Sequence, residues 1–339
     1  MRRPIMFSAL VSIALAGCAT GAALLNNSNS QIALRAQSQI PRVEAQLDIE
    51  KIKTNAAILT GQAKLPDGRT IPERGTVEGR AMTRQFISQT LETYGYKVEP
   101  HAYRQNGINI TTRLMAQIPT DEYILVGAHM DSVKNAGADD NNSGTVAVLE
   151  AARLLKNLPD RKVNILFAWF DEEELGLIGS RYMAKDYKKQ GLKIMSVHTL
   201  DMVGWDSDKD SMIEVEQPDN GLWEYYQQAN QTHGLKLPLT RTSSGDTDHV
   251  AFRNEGFVSV GLCEEWVGGD TTPHYHRRSD AFTTLNFDYV ANVTRLAVAT
   301  VGDLSRKVKG PLVTARIPHD RFPGRARLSH RSLDGLPLP

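Results

Sequence analysis

The 339-residue chain has almost no cysteine: Cys18 and Cys263 are the only two. That leaves no disulfide framework, so the fold must be held by its core, which a chain of this length can supply. Long apolar runs are also missing. The most apolar stretch, residues 5–17, is too short to span a bilayer, and nothing after it is longer. Net charge is absent as well, but unevenly so. Of 39 basic residues, two precede residue 19 and eight follow Ser305, leaving 29 against 37 acidic residues over 19–305, a net of about −8. A phosphate backbone calls for a basic face, so nucleic acid is not an expected partner.

What is present is an alternation of strand and helix signals. Helical spacing marks VEAQLDIEKIKTNAAIL and RAMTRQFISQTLETYG; strand-like runs follow at YKVEPHAY, INITTRLMAQI and EYILVGAH. NSGTVAVLEAARLLKNLP reads as a helix, RKVNILFAWF as a strand, ELGLIGSRYMAKDY as a helix and KIMSVHTLDM as a strand. LWEYYQQANQTHG, FVSVGL and NFDYVANVTRLAVATVGDL add a helix, a short strand and a closing helix. The expectation is one α/β domain over 41–305, with a mixed, largely parallel central sheet flanked by helices.

Polar clusters fall at equivalent places in this pattern. His129 follows one strand-like run, Glu173 and Glu174 follow another, and Asp201 ends a third. The carboxyl ends of strands in such a sheet meet in a crevice, so these clusters form one site. With Asp140 and His276 the set comprises two imidazoles and three carboxylates. If Asp140 bridges, one metal takes His129 and Asp201 and the other Glu174 and His276, a balanced two-zinc hydrolytic centre. Spacing alone leaves the assignments within DEEE open, since four consecutive acids also suit a solvated turn. Gly137 and Gly144 would permit close backbone approach around Asp139 and Asp140.

In order, HMDS, GADDNNSG, EELGLIGS, LDM and YHRRSD resemble the successive blocks of the M28 family of zinc aminopeptidases, over roughly residues 80–303. The resemblance implies a zinc-exopeptidase-like fold, two Zn2+ ions and release of N-terminal residues from peptides with a free N-terminus. It implies His129, Glu174, Asp201 and His276 as terminal ligands, Asp140 as the bridge and Glu173 as general base. It makes Asp131 the carboxylate that fixes the His129 tautomer, and Asp280 a candidate for the same duty at His276. Where the family usually has Thr after that histidine and after the following aspartate, this chain has Arg277 and Ala281. His274 competes with His276 on proximity; His249 lies in a block read as pocket wall or support, and His198 reads as core.

Met202, Phe252, Trp266 and Tyr275 are candidates for an apolar pocket wall, which suggests an uncharged, Leu-like first residue. Three alternatives stand beside this. A carboxypeptidase-like relative would use Arg277 or Arg278 as its basic subsite. A glutaminyl cyclase would not need the full two-metal set, and a surface metal- or peptide-binding protein would not need Glu173.

The basic start and the apolar run read as an export signal over 1–17. Leu15-Ala16-Gly17-Cys18 resembles the bacterial lipoprotein cleavage box, which implies a lipid on Cys18 and a membrane attachment. Residues 18–40 read as a flexible tether and 306–339 as a flexible basic tail. The expected location is outside the cytoplasm, as an outer-membrane lipoprotein or in the periplasm.

Overall fold

The structure, a computed structural model, describes residues 42–219 and 221–307. The leader, Cys18, the tether and the tail beyond residue 307 lie outside the described residues. No helix among those described is long and apolar enough to cross a membrane.

Local chemistry sets the first helices. Asp48 accepts the amides of Glu50 and Lys51 to cap α1 (Ile49–Leu59), and Thr76 accepts that of Gly79 to cap α2 (Val77–Thr93). Asn286 likewise caps the closing helix α7 (Phe287–Ser305) through Tyr289. Between them lie α3 (Gly144–Leu155), α4 (Ile178–Lys189), α5 (Leu222–Thr232) and the six-residue α6 (His249–Asn254).

The strands are β1 (Val98–Arg104), β2 (Gly107–Leu114), β3 (Glu122–His129), β4 (Asn164–Phe170), β5 (Lys193–Leu200), β6 (Ile213–Glu216), β7 (Leu239–Thr242) and β8 (Ser259–Cys263). They form one eight-stranded sheet in the order β1-β2-β4-β3-β5-β8-β6-β7. The middle four, β4-β3-β5-β8, are mutually parallel; β1 and β2 pair antiparallel, as do β2 with β4 and β6 with β8. The expected mixed, largely parallel sheet is therefore found. β4 is buried at every residue, as a central strand covered on both faces must be, whereas β1 alternates toward solvent and carries Pro100, as an edge strand can.

One face of the sheet packs on α3 and α7, whose Val, Ala and Leu side chains fill the larger core. The other face takes α4 and α6 through Met183, Tyr187 and Phe252. On the α7 side, buried His233 lies between Glu44 and Asp303, with Nδ1 2.8 Å from Glu44 Oε1 and Nε2 3.3 Å from Asp303 Oδ1. That triad ties the short 3-10 turn Val43–Gln46 to the end of α7. β6, β7 and α6 had not been expected. β6 alternates as IEVE but is only four residues long, too short to stand out, and its Glu214 and Glu216 are buried along with Ile213 and Val215.

Parallel pairing puts the carboxyl ends of four strands along one edge of the sheet. His129 sits opposite Phe170, Leu200 opposite Leu262. Whatever follows these residues is gathered there.

Candidate metal centre

Five segments meet at that edge. His129 is the last residue of β3 and Asp201 the first beyond β5. Glu173 and Glu174 occupy the turn between β4 and α4, which is closed by the amides of Gly176 and Leu177 on the Glu173 carbonyl, both at 2.7 Å. A Cβ on Gly179 would stand 2.2 Å from the Asp171 carbonyl oxygen, so only glycine lets α4 start against the strand. Asp140 projects from an irregular segment, Ala138–Ser143, entered through Gly137 at φ +55°. His276 comes from the loop after β8 and itself has φ +55°, a costly backbone for a non-glycine residue.

The donors converge in two groups that share Asp140. Nε2 of His129 is 3.2 Å from Asp140 Oδ1 and 3.3 Å from Asp201 Oδ1. Nε2 of His276 is 3.2 Å from Asp140 Oδ2 and 2.9 Å from Glu174 Oε2. Within each group the ligand atoms all lie within 4.8 Å of one another. Donors about 2.1 Å from a tetrahedral ion stand roughly 3.4 Å apart, so both groups match the requirement of such an ion. Glu174 Oε1 is buried with no hydrogen-bond partner, and borderline-soft imidazole paired with hard carboxylate is a donor set suited to zinc. The residues therefore fit a metal pair. Glu173 belongs to neither group; its Oε2 is 4.0 Å from His129 Nε2.

The electrostatics follow from packing many carboxylates together out of water. Burial pushes the carboxyls of Glu173 and Asp201 up, and that of Glu174 to about 7, with neighbouring acids adding to the effect. Asp140 goes the other way: burial raises it, but the imidazoles of His129 and His276 outweigh burial and hold it below the usual carboxylate range. Burial would lower His276, but Asp140 and Glu174 lift it to about 10. A concentrated negative field seeking cations is what a site for divalent ions requires.

Carboxylates behind the donors set their positions. Asp131 Oδ1 is 3.4 Å from His129 Nδ1, and the same carboxylate accepts the amides of Glu173 (3.1 Å) and Glu174 (3.2 Å). Asp280 differs from expectation. Its two oxygens accept the amides of Asp139 (2.8 Å) and Asp140 (3.2 Å), so it braces the loop that carries Asp140 instead of the His276 ring. Asp139 reaches the Gly204 amide at 2.8 Å and does not join a donor group.

The pocket candidates divide. Tyr275 stacks on the His276 ring at 3.9 Å and meets Trp266 edge-on at 5.1 Å, so these two stand beside the centre. Met202 follows Asp201 in a left-handed backbone, φ +50°. Phe252 is a correction: it is fully buried between Phe170 and Phe257, because α6 turns it into the core beneath the sheet, and it cannot line a pocket. His274 faces Ser279 and Trp205, His249 is held by Thr247, and His198 is buried against Tyr226 and Ser196.

Arg74 escaped the sequence reading. It is fully buried, and its guanidinium donates to the carbonyls of Met130 (2.9 Å), Gly137 (2.7 Å), Leu59 (3.2 Å) and Ala136. It thus joins the end of α1 to the segments on either side of Asp131. A residue that acts on carbonyl oxygens leaves no spacing pattern, and only its place in PERG, among turn residues, could have drawn notice.

Similarity to known proteins agrees with this geometry. Aminopeptidase YwaD of Bacillus subtilis (strain 168) is 33% identical over 242 residues, 69% of this chain and 51% of that protein, so the match spans about half its length. Leucine aminopeptidase 1 of Trichophyton rubrum is 30% identical over 243 residues, 63% of this chain and 62% of that protein. The crystal structure of LapB from Legionella pneumophila superposes with a TM-score of 0.69 at 26% identity, covering 78% of this chain and 74% of that one. Residues 109–301, a span that holds all five donors and more than half the chain, match the family described as Peptidase family M28. The chain belongs to peptidase family M28.

Proposed function

We propose that this protein is a di-zinc aminopeptidase that releases the first residue from peptides with a free N-terminus. One observation carries the reading: Asp140 turns one oxygen to each of two imidazole–carboxylate pairs, while Glu173 stands beside them in neither group. His129 and Asp201 would hold one ion, His276 and Glu174 the other, with Asp140 between. A zinc pair supplies Lewis acidity to the scissile carbonyl and eases deprotonation of water. The chain's own residues do the rest. The free α-amine is received on the His129–Asp201 side. Glu173, whose carboxyl burial pushes well up, takes a proton from the attacking water and returns it to the leaving amine. Asp131 stands 3.4 Å from the far nitrogen of the His129 ring, as its charge partner, and holds the turn of Glu173 by its amide.

The apolar surfaces of Met202, Trp266 and Tyr275 favour an uncharged first residue such as Leu. Export with a lipid on Cys18 belongs to the same reading; it rests on residues 1–18 alone, and absence of labelled acyl chain from the protein would refute it.

Turnover of leucine-p-nitroanilide, set against its N-acetyl derivative and a peptide blocked at its N-terminus but free at its C-terminus, tests the assignment. Cleavage of the free-amine substrate alone is expected. Cleavage of the N-blocked peptide would point to a carboxypeptidase, and zinc-loaded protein inert toward all three would end the proposal.

A further inference from the structure

The run Asp171-Glu172-Glu173-Glu174 splits its four acids between two sides of the turn. The second pair faces the metal donors. The first pair is buried on the other side, with Asp171 0% and Glu172 2% exposed, where no part of the proposed chemistry uses it.

Three arginines converge on that first pair. Arg80 Nε is 2.9 Å from Asp171 Oδ1, and its Nη2 is 3.0 Å from Glu172 Oε1. Arg84 Nη1 is 2.9 Å from Asp171 Oδ2, and Arg104 Nη2 is 2.6 Å from Glu172 Oε1. The Tyr103 hydroxyl donates to Glu172 Oε2 (2.8 Å) and to the Asp171 carbonyl (3.1 Å), and the Ile108 amide donates to Asp171 Oδ2 (3.1 Å). Two adjacent carboxylates removed from water would be strongly destabilising without such partners. The backbone at Glu172 is left-handed, φ +62°, a conformation that has to be held from outside.

The next two residues are caught from the opposite side, where Asp131 accepts both of their amides. The turn is thus gripped on both sides, and among the described residues only Arg80 pairs with both outer side-chain carboxylates. It does so with two nitrogens of one planar fork, while its Nη1 donates to the Gly75 carbonyl at 2.8 Å. A lysine in its place keeps the charge but offers a single nitrogen on a flexible stem, so it cannot hold the two carboxylates at the spacing the planar fork fixes.

We propose that Arg80 is a positioning residue for Glu173: by bridging Asp171 and Glu172 it sets the angle at which Glu173 enters the site. This rests on the reading of Glu173 as the proton-transfer group. It makes the outer half of DEEE an anchor for the inner half.

The test is a double-mutant cycle on the zinc-loaded full chain. Arg80→Lys is made in the wild-type and in the Glu173→Gln background, and kcat, KM, zinc per chain and melting temperature are read for each. Residual turnover in the Glu173→Gln background is followed over hours at high enzyme concentration. In the wild-type background, kcat should fall by about tenfold or more with KM within about twofold and zinc retained. In the Glu173→Gln background the same change should cost less than about twofold in kcat, because the group it positions is already gone. An equal loss in both backgrounds, an unchanged kcat, or loss of zinc from Arg80→Lys would overturn the proposal. If Arg80→Lys does not fold, Glu172→Gln removes one end of the bridge at constant size, and the cycle is read in the same way. Should Glu173→Gln alone keep wild-type kcat, the assignment of Glu173 fails first, and that result is distinct from an additive cycle.

Discussion

His233 offers a prediction whose size and pH dependence both follow from its surroundings. Burial alone would lower its imidazole, but hydrogen bonds to Asp303 and Glu44 lift it from 6.5 to about 9. Held at full strength, that rise corresponds to about 3 kcal/mol of folding free energy. Glu44 and the ring are sealed, but the Asp303 side chain is 26% exposed, and screening there reduces the contribution to about 1–2 kcal/mol. A folded-state pKa above the unfolded one means stability that is complete below pH 6.5, declines between 6.5 and 9, and is gone above about 9. His233→Gln should therefore be less stable than the wild type by about 1–2 kcal/mol at pH 6, or roughly 2–4 °C in melting temperature. The two should converge by pH 10. Urea denaturation followed by tryptophan fluorescence at pH 6, 8 and 10, with equal zinc in both proteins, measures the difference. A gap as wide at pH 10 as at pH 6 would show that packing around the ring, and not its charge, ties the two segments together.

Other outcomes separate the roles within the site. Glu173→Gln should keep zinc and lose about a hundredfold or more in kcat, whereas Asp140→Asn and Glu174→Gln should weaken zinc binding itself; equal zinc loss in all three, measured by elemental analysis, would defeat the division of labour. Phe252→Ala should cost about 3–5 kcal/mol in stability, read by denaturation, with the ratio of kcat/KM between leucine and alanine substrates unchanged, since the ring lies in the core. Asp280→Ala frees the amides of Asp139 and Asp140 and should lower zinc affinity in a competition titration more than it lowers the melting temperature of the metal-free chain.

Much of this architecture is legible from residue order, for reasons that also mark where legibility stops. EYILVGAH and NILFAWF declare buried parallel strands, and a histidine or an acid just beyond such runs lands at the shared carboxyl edge. His129, Asp201 and the two glutamates could be gathered on that argument, whereas the choice of Glu173 against Glu174, of His276 against His274, and of Asp140 as the bridge needed the resemblance. Phe252 misled because HVAFRN is too short for its periodicity to show which side faces the sheet. The role of Asp280 was out of reach for a different reason: it binds backbone amides, which every residue but proline has. Arg74 and Arg80 were hidden likewise. Among their partners are a carbonyl 56 positions away for Arg74 and an acid 92 positions away for Arg80.

The far margin of the sheet, where the parallel strands begin, carries none of the five donors. The connection over residues 115–121, with Met115 and Ile118 more than half exposed, enters β3 from that side, and Asp121 there pairs with Lys193 at the solvent boundary. A fluorophore, an affinity handle or an inserted peptide placed there would ride on the molecule at the full length of a strand from the chemistry. The protein could thus be immobilised or labelled by that loop with its donor-bearing edge turned outward.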